Sequence, residues 1–534
     1  MVDDFHADAS ENIYWQYVQQ CCPHFNLNVL SQLKEDIQTT NWEEPSSAIE
    51  FNNVAVMALV AADNAEDLSE RLIYWEFALD LLNQGAELPN NFLCKAHLAV
   101  AYSLINNLKD STNIADNCFL ETLQALSIPA SRQPLGLVYL PRHLKKWSII
   151  CSEQLPVILQ ASDGVTQALT LSTEVLCHSH LFFLNKQGLK LLQLAVQFNT
   201  NSAMLNLQLG LCGICHEHME NLAYIYRARI LSLDSSIILQ SLYLVCQHLQ
   251  QMLIAEQWKA IATTYAQNNP QDIQWKWTEL DVDSPFTYVP FEDTLLLAVE
   301  SSLHSIVTNV LIAQGDWFEV EMELWRDNIY AGMTIIDVGA NVGVYTYSAA
   351  QRVGKLGKVI AIEPFSGCVR CLEETRRVNQ LDWVRIIAGA VGEHNGKARL
   401  SLKSSNEANK LISEDDEVTP TDIFETVAYF TLDSLIEQEN LNRVDWLKID
   451  AEGHEMQVLA GSNRILQEFK PNILYENIEG KQENSIEVAE YLMQHDYKLF
   501  YYRPYLKQLI LVDLLEELQG NLNIIAISNS KFHN

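Results

Sequence analysis

The chain has 534 residues, 35 of them Lys or Arg and 68 Asp or Glu, so its net charge is −33 with His neutral. That length suits roughly two to four domains, and 48% hydrophobic with 9% aromatic residues exceeds what a disordered chain carries. The acidic balance and the lack of a Lys/Arg run disfavour nucleic acid and an anionic membrane surface as main partners.

The N-terminal Met1-Val2-Asp3-Asp4-Phe5-His6 has no positive n-region and no apolar h-region, so no secretory signal is expected. Apolar stretches such as Ile306 to Ala313 stop well short of a membrane span. Eleven scattered cysteines in a chain too large to need staples predict buried thiols and a cytoplasmic protein.

Residues 1–280 read as an all-helical domain. Phe92–Asn106, Leu184–Phe198 and Ser236–Glu256 carry apolar residues at three- and four-residue spacing. Polar turns such as Asn106-Asn107-Leu108-Lys109-Asp110 separate them, Pro129 and Pro134 bracket a loop, and Pro270 ends a helix. Leu209-Gly210, Ala223, Tyr226 and Leu233-Asp234 are similar to a tetratricopeptide helix pair, as are Leu98-Ala99, Tyr102, Ala115 and Phe119 with a longer turn. The early Trp and most closing prolines of that pattern are missing, and an irregular bundle is the alternative. No catalytic constellation is visible before residue 280. Cys212-Gly213-Ile214-Cys215-His216-Glu217-His218 would need four ligands to converge from one helical stretch, so packed thiols are expected there.

Residues 281–534 alternate. Met333–Val338, Lys358–Glu363, Val384–Ala388, Asp445–Asp450, Asn472–Glu476, Lys498–Tyr502 and Asn523–Ser528 are short apolar or β-branched runs, many separated by helical stretches. This order predicts a doubly wound, mainly parallel sheet with helices on both faces. Lys397–Leu402 and Thr426–Leu432 read as extra strands around an acidic loop, Glu414-Asp415-Asp416-Glu417, read as solvent-exposed or as a lid over the acceptor. Cys368 and Cys371 are expected in the core of a helix facing the sheet.

The sharpest signal is Ile335-Ile336-Asp337-Val338-Gly339-Ala340-Asn341-Val342-Gly343, a buried strand entering a glycine turn and then a helix. Gly339 permits close approach of a ligand, Gly343 permits the helix start to pack on the strand, and free N–H groups there attract a carboxylate. Asp337 suits a ligand that also carries an ammonium. Glu363 lies 20 residues beyond Gly343, at the end of the next strand, where an acid commonly holds ribose hydroxyls. A nicotinamide dinucleotide prefers Gly-x-Gly-x-x-Gly for its pyrophosphate. Here the turn is Gly-x-x-x-Gly with Asn341 inside it, which suits the amino-acid end of S-adenosyl-L-methionine.

Asp337–Gly343, Ile362-Glu363-Pro364 and Leu447-Lys448-Ile449-Asp450-Ala451-Glu452-Gly453-His454-Glu455, with the lead-in Gly315-Asp316-Trp317-Phe318-Glu319-Val320-Glu321, resemble the FkbM-type methyltransferase family over roughly residues 290–534. The resemblance implies a class I, Rossmann-like methyltransferase fold with a reversed last strand, S-adenosylmethionine as donor, and a hydroxyl acceptor on a sugar, glycolipid or polyketide-like metabolite. By position it implies that Asp337, Gly339, Asn341 and Gly343 hold the methionine end and Glu363 the ribose, that Ala390 and Val391 border the adenine, and that Asp450 lies beside the sulfonium. A helix N-cap is the alternative role for Asp450. Candidate bases for the acceptor proton are Asp450, Glu452, His454 and Glu476, and His454 has the most suitable ordinary pKa. Glu452 and Glu455 also favour a helix start electrostatically. Asp450, Glu452 and Glu476 invite a divalent ion, but a cationic donor needs none and no metal is expected.

The helical half is expected to recruit a protein partner or the acceptor's carrier. The competing function is an interaction scaffold that keeps a non-catalytic methyltransferase-like platform.

Overall fold

Ser47 and Glu50 show why the first half folds as helices. The Ser47 hydroxyl accepts from the Glu50 N–H, and the Glu50 carboxylate accepts from the Ser47 N–H, closing both ends of a capping box in front of the helix Ala48–Asn64. Asp67 and Asn107 cap Leu68–Ala86 and Leu108–Leu126 more simply, their side chains accepting from the Ser69 and Asp110 N–H groups. The computed structural model describes residues 12–26, 30–31, 33–35, 40–128, 133–142, 154–179, 186–198, 200–403, 409–412, 423–477 and 482–532. These residues pack as two units: Met1–Leu205 with Arg503–Gln508, and Asn206–Tyr502 with Leu509–Asn534. Packing thus divides the chain earlier than texture does, since the last helical turn before the first strand is Ile273–Glu279.

The first unit is helical, with Phe92–Leu104, Gly164–Ser179 and Lys186–Phe198 among its further helices. The pair expected around Ala99 and Ala115 is present as Phe92–Leu104 and Leu108–Leu126, clipped by the Ser111 hydroxyl on the Ala99 carbonyl (2.8 Å). Through this unit runs an extended stretch, residues 136–140, whose Leu137, Val138, Tyr139 and Leu140 are fully buried. Side chains, not a strand partner, satisfy its backbone. Gly136 N–H donates to Gln167, Leu137 N–H to Asn53, Val138 N–H to the Tyr14 hydroxyl, Tyr139 N–H to His97 Nε2 and Leu140 N–H to the Tyr17 hydroxyl. Asn52, Tyr14, Tyr17 and Gln167 in turn donate to the carbonyls of Leu137, Val138, Leu140 and Gly136. A buried backbone must find partners somewhere, and here it finds them in Asn, Gln, Tyr and His.

The second unit carries the helices from Asn206 onward and the strands described here, apart from the terminal Arg503 and Gln508 of two of them. The span expected as one helix, Ser236–Glu256, is two: Ser236–His248 and the start of Met252–Asn268. Between them Gln250 adopts φ 58°, and Gln251 N–H closes on the Cys246 carbonyl (2.8 Å). This is a helix-ending motif built without glycine, so composition does not announce it. The helix pair expected around Gly210 is also present, Ala203–Cys215 and Leu222–Leu231; a Cβ on Gly210 would stand 2.3 Å from Ile225, which explains the glycine.

An antiparallel hairpin, β1 (Phe286–Phe291) and β2 (Leu295–Glu300), precedes the main sheet and was not expected. Its turn uses Glu292 and Asp293 at φ 47° and 63°, where Asn-Gly would have been the recognisable signal. The main sheet is built from β3 (Thr334–Val338), β4 (Lys358–Glu363), β5 (Val384–Ala388), β10 (Trp446–Ile449), β11 (Asn472–Glu476), β12 (Tyr497–Arg503), β13 (Gln508–Leu511) and β14 (Asn523–Ser528). Its order is β13-β12-β14-β11-β10-β3-β4-β5. The pairs β5–β4–β3–β10–β11 are parallel, and β14 is antiparallel to both β11 and β12. This is the class I methyltransferase arrangement with its reversed last strand. A second sheet, β6-β9-β7-β8, consists of β6 (Ala390–Val391), β7 (Gly396–Leu402), β8 (Lys410–Ile412) and β9 (Ile423–Phe430). The extra strand expected at Thr426–Leu432 starts three residues earlier and stops at Phe430, because Thr431 caps the helix Leu432–Gln438. The acidic loop 414–417 lies outside the described residues.

Every described cysteine is a free thiol, and all but Cys215 are buried, Cys368 and Cys371 included. Among the described residues no helix is long and apolar enough to cross a membrane.

Candidate functional site

The main sheet reverses direction between β3 and β10: the chain runs outward from β3 through β4 to β5 and returns to β10. The carboxyl ends of the strands at such a switch point are the usual place for a ligand on a parallel sheet. Asp450 follows β10 there, and its N–H donates to the Val338 carbonyl at the end of β3 (3.1 Å). Gly339 makes that approach feasible. Its φ is 76°, and a Cβ at this position would stand 1.7 Å from the Asp450 carbonyl oxygen. Gly343, at φ 97°, starts the helix Val344–Val353, and a Cβ there would collide with Tyr347 and Leu372. Both glycines are therefore demanded by the backbone.

The turn between them is fastened to β4. Gly339 N–H and Ala340 N–H both donate to the Ile362 carbonyl, and Asn341 N–H donates to Glu363 Oε2 (2.8 Å). The other Glu363 oxygen accepts from Phe365 N–H (2.8 Å). Burial, together with the charges of Asp450 and Asp337, pushes the Glu363 carboxyl up to about 7, although its two N–H donors pull the other way. Asn341 and Glu363 are thus joined directly, and Asp337 adds to the charge acting on Glu363. Asp337 is fully buried; Oδ2 accepts from the Thr346 hydroxyl (2.5 Å), and Oδ1 has no hydrogen-bond partner among the described residues.

Ala390 and Val391 are buried in the short strand β6, paired with Tyr429 and Phe430 of β9. The preceding Gly389 N–H donates to the Glu363 carbonyl (3.0 Å), which ties that strand to the end of β4.

On the other side of the crevice, Asp450 Oδ2 accepts from Lys448 Nζ (2.7 Å). The helix that follows, Glu455–Ala460, starts at His454 with no side-chain cap, so Asp450 is not the N-cap. Glu455 serves the turn itself, its Oε1 accepting from Ala451 N–H and Gly453 N–H. Glu452 is exposed at φ 53°. The Glu476 carboxyl, at the end of β11, is pushed far up by burial and by the charges of Asp450, Glu452 and Glu455. The oxygens of Asp450, Glu452 and Glu476 lie within 4.8 Å of one another, a cluster to which we assign no ion. His454 Nε2 is 2.8 Å from the Tyr429 hydroxyl of β9, and burial holds the imidazole below its ordinary pKa.

Sequence reasoning missed four participants. Lys448 is 3% exposed on β10, level with Asp337 of β3. Tyr345 lies under its ammonium, 4.7 Å from Nζ to the ring centroid, and donates its hydroxyl to Glu319 (2.5 Å). Tyr429 fixes His454. Lys448 and Glu319 stand inside the motifs quoted above, so the signal was present; a Lys at strand period simply reads as a solvent-facing residue.

Residues 337–499 match the profile described as the Methyltransferase FkbM domain. The second unit contains an FkbM-type methyltransferase domain. Its cofactor is S-adenosylmethionine. Among solved structures, the chain is similar to the methyltransferase FkbM from Methylobacillus flagellatus KT, with 14% identity over 42% of this chain and 54% of that one and a TM-score of 0.26. It is also similar to an O-methyltransferase from Bacillus cereus in complex with SAH (13% identity, 39% and 78% covered, TM-score 0.24) and to Trm5b from Pyrococcus abyssi (13%, 46% and 55%, 0.25). The chain thus spans about half the length of the FkbM structure. No curated protein sequence matches it.

The residues present fit the cofactor. The close approach at Gly339 is taken up by the Asp450 main chain, and what suits a cationic ligand is the buried acceptor on Asp337 that has no partner among the described residues.

Proposed function

We propose that the FkbM-type domain transfers a methyl group to a hydroxyl on a glycan, glycolipid or secondary metabolite. Asp337 and the Gly339–Gly343 turn bind the methionine end of the donor, Glu363 the ribose hydroxyls, and Ala390 and Val391 flank the adenine. When bound, S-adenosylmethionine supplies an already activated methyl on a cationic sulfur. The chain's own work is then to place the acceptor oxygen in line and to take its proton. Asp450 stands at the strand end nearest the glycine turn and orients the hydroxyl. His454, neutral at pH 7, or Asp450 itself receives the proton. Burial and the neighbouring acids favour the protonated form of Glu476, which lets it donate a hydrogen bond instead. The helical region recruits a protein partner or the acceptor's carrier in the cytosol.

The observation that carries this reading is the meeting of three strand ends: Gly339 against the Asp450 carbonyl, with Asn341 N–H on Glu363. Calorimetry on the purified chain should show one donor molecule bound per protein, and Gly339→Arg should abolish it. A folded wild-type chain that binds no donor refutes the reading. Incubating extracts with isotope-labelled donor and locating the label by mass spectrometry identifies the acceptor; label on a nitrogen would refute the hydroxyl assignment.

A further inference from the structure

One buried cation stands among the acids of the donor crevice. Lys448 is 3% exposed, and its ammonium contacts Asp450 Oδ2 at 2.7 Å while resting over the Tyr345 ring. It sits beside Asp337 in the β3–β10 register. Glu319 joins the group through Tyr345, whose hydroxyl donates to Glu319 Oε2, and Asn523 donates to the same oxygen (3.0 Å). Asp337, Glu319, Asp450 and Glu476 all act electrostatically on Lys448 or are acted on by it.

The physical problem is plain. Several carboxylates gathered in low dielectric repel one another, and each alone would lose its charge rather than stay ionised. A single ammonium pinned between them removes part of that cost. It also gives Asp450, otherwise a 31% exposed side chain on a turn, one fixed orientation. The ring of Tyr345 supports the ammonium from below by cation–π attraction.

Resting on the donor site proposed above, we infer that Lys448 is a positioning residue: it aims the Asp450 carboxylate at the sulfonium side of the crevice, so that the protein prefers the cationic methyl donor to its neutral demethylated product. The two ligands differ by one methyl and one positive charge. A fixed carboxylate near the sulfur distinguishes them, and a wandering one does so poorly.

The test compares S-adenosylmethionine with S-adenosylhomocysteine by calorimetry on the full chain. Lys448→Met should lower the donor-to-product affinity ratio about tenfold, a loss on the scale of one charge-assisted contact, with product affinity little changed. Lys448→Arg should restore part of the ratio. In Asp450→Asn the ratio should fall similarly, and adding Lys448→Met should lower it no further, since both act through one carboxylate. General damage to the fold weakens both ligands alike and leaves the ratio unmoved. An unchanged ratio in folded Lys448→Met, or fully additive losses in the double variant, overturns the inference. Should Lys448→Met fail to fold, Tyr345→Leu, which removes the ring under the ammonium, decides on the same ratio: a fall supports, no change overturns. A wild-type chain that binds neither ligand defeats the donor site itself rather than the role of Lys448.

Discussion

Residues 136–140 of the helical unit and strand β3 of the main sheet are both extended and buried, yet their backbones are satisfied in different ways. β3 has parallel neighbours on each side, β4 and β10, so main chain pairs with main chain and side chains are released for other work: Asp337 for the crevice, Ile335 and Ile336 for the core. Residues 136–140 have no ladder, and Tyr14, Tyr17, Asn52, Asn53, His97 and Gln167 supply the missing partners. In the sheet the backbone is robust to side-chain change. In the helical unit six polar side chains stand where a neighbouring strand would be, and each is a point of failure.

The largest expected effect follows from His97. Its Nδ1 faces two acceptors, Asn52 Oδ1 (2.7 Å) and the Leu93 carbonyl, while Nε2 accepts from Tyr139 N–H. Only the neutral Nδ1–H tautomer fits, and complete burial lowers its pKa from 6.5 to about 4. The unfolded chain binds more protons between those values, so this contribution is complete above pH 6.5 and fades as pH falls toward 4. About 3 kcal/mol of stability should be lost across that window, read from urea midpoints of the helical unit; His97→Gln should flatten the dependence. A midpoint unaffected between pH 7 and 5 would break the comparison.

Next comes Tyr14→Phe. It preserves volume but strips both the N–H and the carbonyl of Val138 of their partner. Each buried orphan costs roughly 1–3 kcal/mol, and relaxation recovers part of the sum for two, so a loss of at least about 2 kcal/mol in urea unfolding is expected, with donor affinity untouched.

A smaller effect is expected at Glu363. Its carboxyl is raised to about 7, and at the proposed donor site only the ionised form would accept from ribose hydroxyls as well as from Asn341 and Phe365. Donor affinity should therefore rise as pH increases through 7, by about tenfold. Glu363→Gln should show the weaker affinity at every pH in calorimetric titration.

Tyr475→Phe should do least. This tyrosine is buried on β11, and its hydroxyl has no hydrogen-bond partner among the described residues. Removing that oxygen should leave stability unchanged or raise it by up to about 1 kcal/mol. The same atom deleted from Tyr14 and from Tyr475 should thus give opposite signs; equal losses would show that ladder and side-chain clamp are not the distinction that matters.

This contrast also explains what the amino-acid order reveals. β3, β4 and β10 are near-continuous apolar runs ended by Gly339, Glu363 and Asp450, and period and punctuation both speak there. The crevice was legible for the same reason, since its glycines and acids mark strand ends. Leu135-Gly136-Leu137-Val138-Tyr139-Leu140 has strand composition without a strand partner, and no local pattern says that Asn53 or Tyr14, more than 80 residues away, will serve it. The hairpin β1–β2 escaped because Glu292 and Asp293 form its turn. Lys448 and Tyr345 escaped because their roles depend on which strand lies beside which helix, a property of topology and not of spacing.

Six residues from far along the chain belong to the helical unit: Arg503–Gln508. Tyr505 is 2% exposed there, its hydroxyl bonds the buried Asp63, which also accepts from Tyr139, and Arg71 holds the Tyr505 carbonyl. During synthesis the helices therefore leave the ribosome long before their last core tyrosine exists. Until residue 505 emerges, Asp63 lacks one of its two hydroxyl donors and the cavity meant for that ring stands open. The helical core therefore closes only once this short insert is available, however early the helices themselves form.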